Sequence, residues 1–118
     1  MIKLKEIETS NTYEVQIRNG DKVVAHVGCS FTNGGIYIRD LFVLRDFRGK
    51  GLEEVLLTKV LDYAASQKAK KVVSYCGAEP FCEDGQIPIE QEILWYENHG
   101  FSHHHNVMGV TPCMVKQL

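Results

Sequence analysis

Two glycines set among cations, Arg48-Gly49-Lys50-Gly51, form the segment best suited to chemistry on an anion. Glycine lacks a Cβ, so main-chain N–H groups there can approach a phosphate closely, while Arg48 and Lys50 add positive charge. If a helix follows, its unsatisfied first-turn amides and the positive end of its dipole point at the same anion. The bland alternative is a plain turn joining a strand to a helix. A second candidate is His103-His104-His105, a run that invites metal ligation. In a regular strand His103 and His105 share a face while His104 points away, so the expectation is a solvated or acceptor-facing strand and no three-histidine metal site. Cys29, Cys76, Cys82 and Cys113 form no Cys-x-x-Cys pair, which indicates neither a zinc site nor a disulfide framework.

The elements that must position these residues follow from periodicity. Ile2 to Glu8 and Tyr13 to Arg18 alternate apolar and polar residues and read as strands of a half-exposed sheet. Asn19-Gly20-Asp21 is a hairpin turn leading to a strand over Val23 to Ser30, and Thr32-Asn33-Gly34-Gly35 is a second turn. Ile36 to Leu44 changes from alternation to a continuous apolar run, as in a strand passing from the edge of a sheet to its centre, with a bulge near Asp40. Leu52 opens a helix whose stripe is Leu52, Val55, Leu56, Val60, Leu61 and Ala64, ending near Gln67. Val72 to Cys76 completes a right-handed parallel strand-helix-strand crossover. Gly77 to Pro88 is a loop, and Ile89 to His99 a second helix with Ile89, Ile93 and Tyr96 on one stripe, stopped by Gly100. Phe101 to His105 and Pro112 to Leu118 are final strands. The expected fold class is α/β in the mixed α+β sense. A mostly antiparallel sheet carries one parallel crossover and two main helices in a single domain over residues 1–118.

Charge narrows the function classes. The 118 residues carry 13 Lys and Arg against 15 Asp and Glu, too even a balance for wholesale binding of a nucleic acid or an anionic membrane. The balance is uneven along the chain, net positive through Lys71 and net negative beyond it, where only Lys116 opposes six acids. No apolar run approaches the ~20 residues of a membrane span, and the polar N-terminus is unlike a signal peptide, so a cytoplasmic protein is expected.

Three segments in order, Asp40-Leu41-Phe42-Val43, Asp46-Phe47-Arg48-Gly49-Lys50-Gly51-Leu52 and Trp95-Tyr96-Glu97-Asn98-His99-Gly100-Phe101, resemble the GNAT superfamily of acyl-CoA-dependent N-acetyltransferases. The resemblance runs over residues 12 to 118. It implies that the backbone of Leu41, Phe42 and Val43 pairs with the pantetheine arm of acetyl-CoA. It implies also that the loop and helix start over Arg48, Gly49, Lys50, Gly51, Leu52, Glu53 and Glu54 bind the pyrophosphate. Tyr96 would stand near the thioester sulfur and protonate the departing thiolate, which suits a phenol whose ordinary pKa is near ~10. Its alternative is a core tyrosine.

The same resemblance gives Asp40 a place in catalysis, as in the diamine acetyltransferases, taking the amine's proton through water or orienting a cationic acceptor. Otherwise Asp40 bonds its own backbone at a bulge or pairs with Arg39. Glu79 and Glu83 would face the acceptor, and the acidic second half of the chain then suits a cationic amine. Cys76, near the thioester, is either an acyl-carrying nucleophile or a small buried hydrophobe. Trp95 packs, or borders the acceptor.

Several positions depart from the family's pattern. Asp46 replaces the usual Gln or Arg, Glu53 a glycine or small residue, and Ile89 an asparagine that contacts CoA. Only Thr9, Ser10 and Asn11 separate the first two strands, where the family inserts two helices. The expected groove is therefore open, or closed by a second copy in a homodimer. The expected reaction is acetyl transfer from acetyl-CoA to a small-molecule or peptide primary amine. The alternative is a non-catalytic CoA-binding or regulatory module of the same fold.

Overall fold

Alternation in the first part of the chain becomes an antiparallel meander of β1 (Ile2–Glu8), β2 (Thr12–Asn19), β3 (Lys22–Thr32) and β4 (Gly35–Val43). The computed structural model describes residues 2–76, 89–107 and 111–118. The two residues between β3 and β4, Asn33 and Gly34, both have positive φ (50° and 80°), the tight hairpin geometry that matches the twist of the flanking strands. α1 (Leu52–Ser66) then leads to β5 (Lys71–Tyr75), which runs parallel to β4. α2 (Ile89–Asn98), β6 (Ser102–Val107) and β7 (Thr111–Gln117) follow. Among the described residues the strands form one sheet in the order β1-β2-β3-β4-β5-β7-β6, mixed by its single parallel pair.

The core lies between α1 and one face of this sheet. Tyr13, Val15 and Ile17 of β2 stand opposite Cys29, Val27 and Ala25 of β3, and all six are buried. The Tyr13 ring stacks on Tyr63 of α1 with centroids 4.8 Å apart. Leu56, Leu57, Val60, Tyr63 and Ala64 form the buried stripe of α1. Val55, expected on that stripe, is instead 41% exposed, and Tyr63 takes part in its place. A 3.6-residue period gives the width of an apolar stripe, but the sheet selects which edge of it is covered. Ile89 likewise stands exposed at the start of α2. β1 is exposed along its whole length because it lies at the sheet edge beyond the reach of the core.

Two further expectations are corrected by register. β4 pairs with β3 as far as Val43↔Ala25, but with β5 only from Gly35↔Lys71 to Ile38↔Ser74. Its apolar end therefore leaves the sheet centre, the reverse of the expected order, and borders a cavity. At the other edge the β6–β7 register shifts between His103 and His105, placing His103 opposite Met114 and His105 opposite Cys113. With His104 as the extra residue, His103 and His105 fall on opposite faces. Among the described residues no group of His, Cys, Asp or Glu is arranged to hold a metal ion. The expected bulge near Asp40 is present: Gly28 faces Asp40 and Cys29 faces Ile38, leaving Arg39 as the inserted residue. No helix among the described residues is long and apolar enough to cross a membrane.

Candidate active site

Where β4 and β5 part, a cavity of about 300 Å³ opens between the strand ends and both helices. Leu41, Phe42 and Val43 of β4 form one wall, and Ser74 and Tyr75 of β5 the other. Arg48, Gly49, Glu53 and Glu54 line the end nearest the start of α1, and Glu92, Trp95 and Tyr96 of α2 close the remaining side. Nine of the residues singled out in the sequence thus converge here: Leu41, Phe42, Val43, Arg48, Gly49, Glu53, Glu54, Trp95 and Tyr96.

Tyr96 is 5% exposed, held edge-on by the rings of Trp95 and Phe101, each with its centroid 5.0 Å away. Its phenol oxygen accepts a hydrogen bond from the buried Ser74 hydroxyl at 2.8 Å. Two turn bonds hold the end of α2, from the Phe101 amide to the Tyr96 carbonyl at 3.0 Å and from the Gly100 amide to the Glu97 carbonyl at 3.1 Å. They require the positive φ of Gly100 (90°), and Lys116 donates to the half-buried carbonyl of His99 at 2.8 Å. Tyr96 is both a core tyrosine and a cavity-lining one. Its reach into the cavity is fixed by the strand below it and the helix stop behind it.

The loop is pinned to β4 by the Arg48 Nε, which donates to the Val43 carbonyl at 3.0 Å. Lys50 lies over the Phe47 ring, with Nζ 5.4 Å from its centroid, and does not line the cavity. Gly51 caps α1 in the left-handed region (φ 85°), and the Val55 amide bonds its carbonyl at 3.1 Å. The amides of Leu52, Glu53 and Glu54 therefore precede the first intrahelical bond. A Cβ placed on Gly49 or Gly51 would meet no atom within 4 Å, so the space above the turn is open. Leu52 turns instead toward the core, against which it packs. Glu53 and Glu54 suit the helix start electrostatically, yet they carry the same sign as a phosphate. Glu54 accepts from the Trp95 indole N–H at 3.3 Å and so ties the start of α1 to α2.

Asp40 is not part of the cavity wall. Its Oδ2 lies 2.8 Å from His26 Nδ1, and on the other side of the ring Nε2 lies 3.2 Å from Glu14 Oε2. The Nδ1 contact is close in distance without being aligned as a hydrogen bond. Burial disfavours the charged imidazole, but the Asp40 and Glu14 carboxylates outweigh it and raise the pKa of His26 above its ordinary value. The opposite effect, led by the bond to His26, lowers that of Glu14. Gly28 leaves the room Asp40 needs, since a Cβ there would lie 2.7 Å from Asp40 Oδ1. The partner of Asp40 is thus a histidine two strand positions from Gly28, which the sequence did not single out.

Glu79 and Glu83 lie outside the described residues. Cys76 is buried and absent from the cavity wall, and burial pushes the Cys29 thiol up to about 12. Ser74 and Glu92 also escaped the sequence reading. For Ser74 a signal exists, because a lone hydroxyl within Val72-Val73-Ser74-Tyr75-Cys76 must find a partner once that strand is buried.

The glycine turn before a helix, the parting of two strands and the helix-borne tyrosine make up the candidate site. Residues 3–85 match the acetyltransferase (GNAT) family. The chain belongs to that family. No curated protein matches it significantly in sequence. Among solved structures, a Klebsiella pneumoniae protein provisionally described as an acyl-CoA N-acyltransferase superposes with a TM-score of 0.77 at 13% identity, covering 100% of this chain and 98% of that one. A GNAT family acetyltransferase of Elizabethkingia anophelis, solved with acetyl-CoA bound, gives 0.73 at 11% identity over 99% and 98%. The PaiA N-acetyltransferase of Thermoplasma acidophilum, solved with coenzyme A, gives 0.73 at 10% identity over 92% of this chain, which spans 62% of that protein. At such identities the likeness establishes the fold.

Proposed function

We propose that this protein transfers an acetyl group from acetyl-CoA to a primary amine by direct attack of the amine on the thioester. The observation that carries this reading is the Ser74–Tyr96 pair at the cavity where β4 and β5 part. The residues present suit the donor. The glycine turn and the amides at the start of α1 offer an open anion cradle, and the apolar end of β4 offers a strand edge for the pantetheine arm. Acetyl-CoA supplies an activated acyl group with a thiolate as leaving group.

In this reading the amine nitrogen forms a bond to the thioester carbonyl carbon as the C–S bond breaks. Amides near Phe42 and Val43 stabilise the developing oxyanion. Tyr96 gives its phenolic proton to the thiolate, and the proton lost by the nitrogen as the amide forms restores it. Asp40, beyond the cavity wall, faces the amine as it approaches, and a small-molecule or peptide amine is the expected class of acceptor. A homodimer in which a second copy walls the acceptor side belongs to the same reading.

Glu53 and Glu54 favour one rival, a module that binds CoA weakly and does no chemistry. Titration calorimetry with acetyl-CoA, followed by thiol release over a panel of primary amines, decides between them. Binding with turnover on at least one amine supports the transferase, and binding without turnover on any supports the module.

A further inference from the structure

On the sheet face opposite α1, three titratable side chains from three adjacent strands meet, with no helix over them among the described residues. Glu14 of β2, His26 of β3 and Asp40 of β4 place one imidazole between two carboxylates, at 3.2 Å and 2.8 Å. The arrangement is built into the strands. The bulge at Arg39 resets β4 so that Asp40 faces Gly28, and the missing Cβ of Gly28 admits the Asp40 carboxylate. On β2 a line of side-chain bonds holds the outer member: Gln16 donates to Glu14 at 3.0 Å, and Arg18 to Gln16 at 3.1 Å. The His26 side chain is 14% exposed, whereas Asp40 is 37% exposed, so Asp40 is the member that meets solvent or an incoming group. The cluster also touches the cavity, because the His26 ring packs against Phe42, centroid to centroid 5.7 Å, and Phe42 lines the cavity wall.

We infer that Glu14, His26 and Asp40 form a proton relay serving the acceptor amine, with His26 as the positioning and proton-holding partner of Asp40. This rests on the transferase reading above. The protonated amine passes one N–H proton to the Asp40 carboxylate. A small rotation of that carboxyl group aligns its O–H with Nδ1 of the neutral His26 ring 2.8 Å away and hands the proton over, and the amine is left with the lone pair that attacks. The imidazolium is stabilised by Glu14 at Nε2 and by the restored Asp40 carboxylate, then loses its proton to water before the next turnover. Two carboxylates around one histidine make the relay usable only above the pKa of His26. Among the described residues, Arg39 beside Gly28 and Arg18 at the far end of the Glu14 line are further charged groups near the ring. α1 and α2 pack on the other face of the sheet.

The test combines two readouts on the full chain. Histidine-selective NMR titration follows His26 in the wild type and in Glu14→Gln, without any turnover. The pH dependence of kcat/KM is then followed for acetyl-CoA with an alkyl diamine, an aminoglycoside, lysine and a lysine peptide. In the wild type His26 should titrate above the ordinary histidine value. In Glu14→Gln both that titration and the acid limb of kcat/KM should move to lower pH by roughly one unit, the scale on which one neighbouring carboxylate shifts a histidine. His26→Gln should lose the limb altogether. A rate that falls in these variants with the limb unmoved means a merely structural cluster and overturns the relay, as does an ordinary His26 titration indifferent to Glu14→Gln. Acetyl-CoA binding by a wild type that acetylates none of the amines overturns the transferase reading, and the relay with it. An unmoved limb in an active enzyme overturns the relay alone.

Discussion

The Ser74 hydroxyl of β5 donates to the Tyr96 phenol oxygen of α2 at 2.8 Å, in a position where both side chains are buried and both line the same cavity. The donor in this bond is the serine, so the bond does not consume the phenolic hydrogen. Removing the Tyr96 hydroxyl should therefore strike proton delivery more than donor binding. Tyr96→Phe is expected to slow acetyl transfer by about 10²-fold or more, the usual worth of a positioned general acid. Acetyl-CoA affinity should hold within about twofold, a change worth less than ~0.5 kcal/mol. Thiol release and calorimetry measure the two separately, and unchanged turnover would remove Tyr96 from the mechanism.

Ser74→Ala tests the same bond from the other end. The phenol then loses a buried partner, and the expected cost is about 1–3 kcal/mol of stability, read as a lower urea midpoint with an unaltered slope. In Ser74→Ala/Tyr96→Phe the two losses should be less than additive, because a single bond is removed twice.

Glu53 brings a carboxylate to the cavity at the start of α1, where the proposed anion cradle begins. Glu53→Gln should tighten acetyl-CoA binding by up to about tenfold, or ~1.4 kcal/mol. The gain should shrink as salt rises, since exposed charges are screened beyond about 10 Å at 0.1 M. Calorimetry at two ionic strengths reads both effects, and an affinity that falls would show the carboxylate to be useful to the cradle.

Stability should depend on pH through His26, whose folded pKa is raised above the ordinary 6.5. A raised histidine contributes stability that is fully present below the unfolded value and is lost as pH rises through the folded one. Glu14 acts with the opposite sign. Its depressed pKa contributes stability present above the ordinary 4.5 and lost as pH falls through the folded value. The urea midpoint should accordingly be highest between the ordinary carboxylate and histidine values and decline as pH rises through the raised value of His26. In His26→Asn the decline on the alkaline side should flatten.

Two glycines should fail for different reasons when replaced by alanine. At Gly51 nothing obstructs a Cβ, so Gly51→Ala costs only the left-handed backbone, about 1–2 kcal/mol. At Gly28 the backbone is ordinary but the Cβ would sit 2.7 Å from Asp40 Oδ1. Gly28→Ala should therefore displace Asp40 and lower the His26 pKa, which NMR would detect even where the stability loss, about 1–3 kcal/mol, resembles that of Gly51→Ala.

Much of the local structure is legible in the chain itself. Alternation at Tyr13, Val15 and Ile17 marks the buried face of β2. The apolar period after Gly51 marks α1, and Gly100 marks the end of α2 with Tyr96 one turn earlier. These features are carried by neighbours within a few residues, where steric and hydrogen-bonding preferences act directly. The glycine turn with the helix it opens, the strand beside it and the helix that bears Tyr96 were readable for the same reason, and they carry the nine cavity-lining residues singled out in the chain.

What the tertiary structure decided was convergence. Nothing within reach of Asp40 in the chain points to His26, because their meeting depends on a bulge at Arg39 and on the absent side chain of Gly28 across the strand pair. Ser74 reaches Tyr96 only because β5 leaves β4 after Ile38 and α2 returns over the gap. The faces of His103 and His105 were reversed by one inserted residue, His104, and the buried edge of α1 was set by the sheet against it. Periodicity states which residues of an element are apolar. Cross-strand register decides what they meet, and register is settled by the packing of the whole sheet.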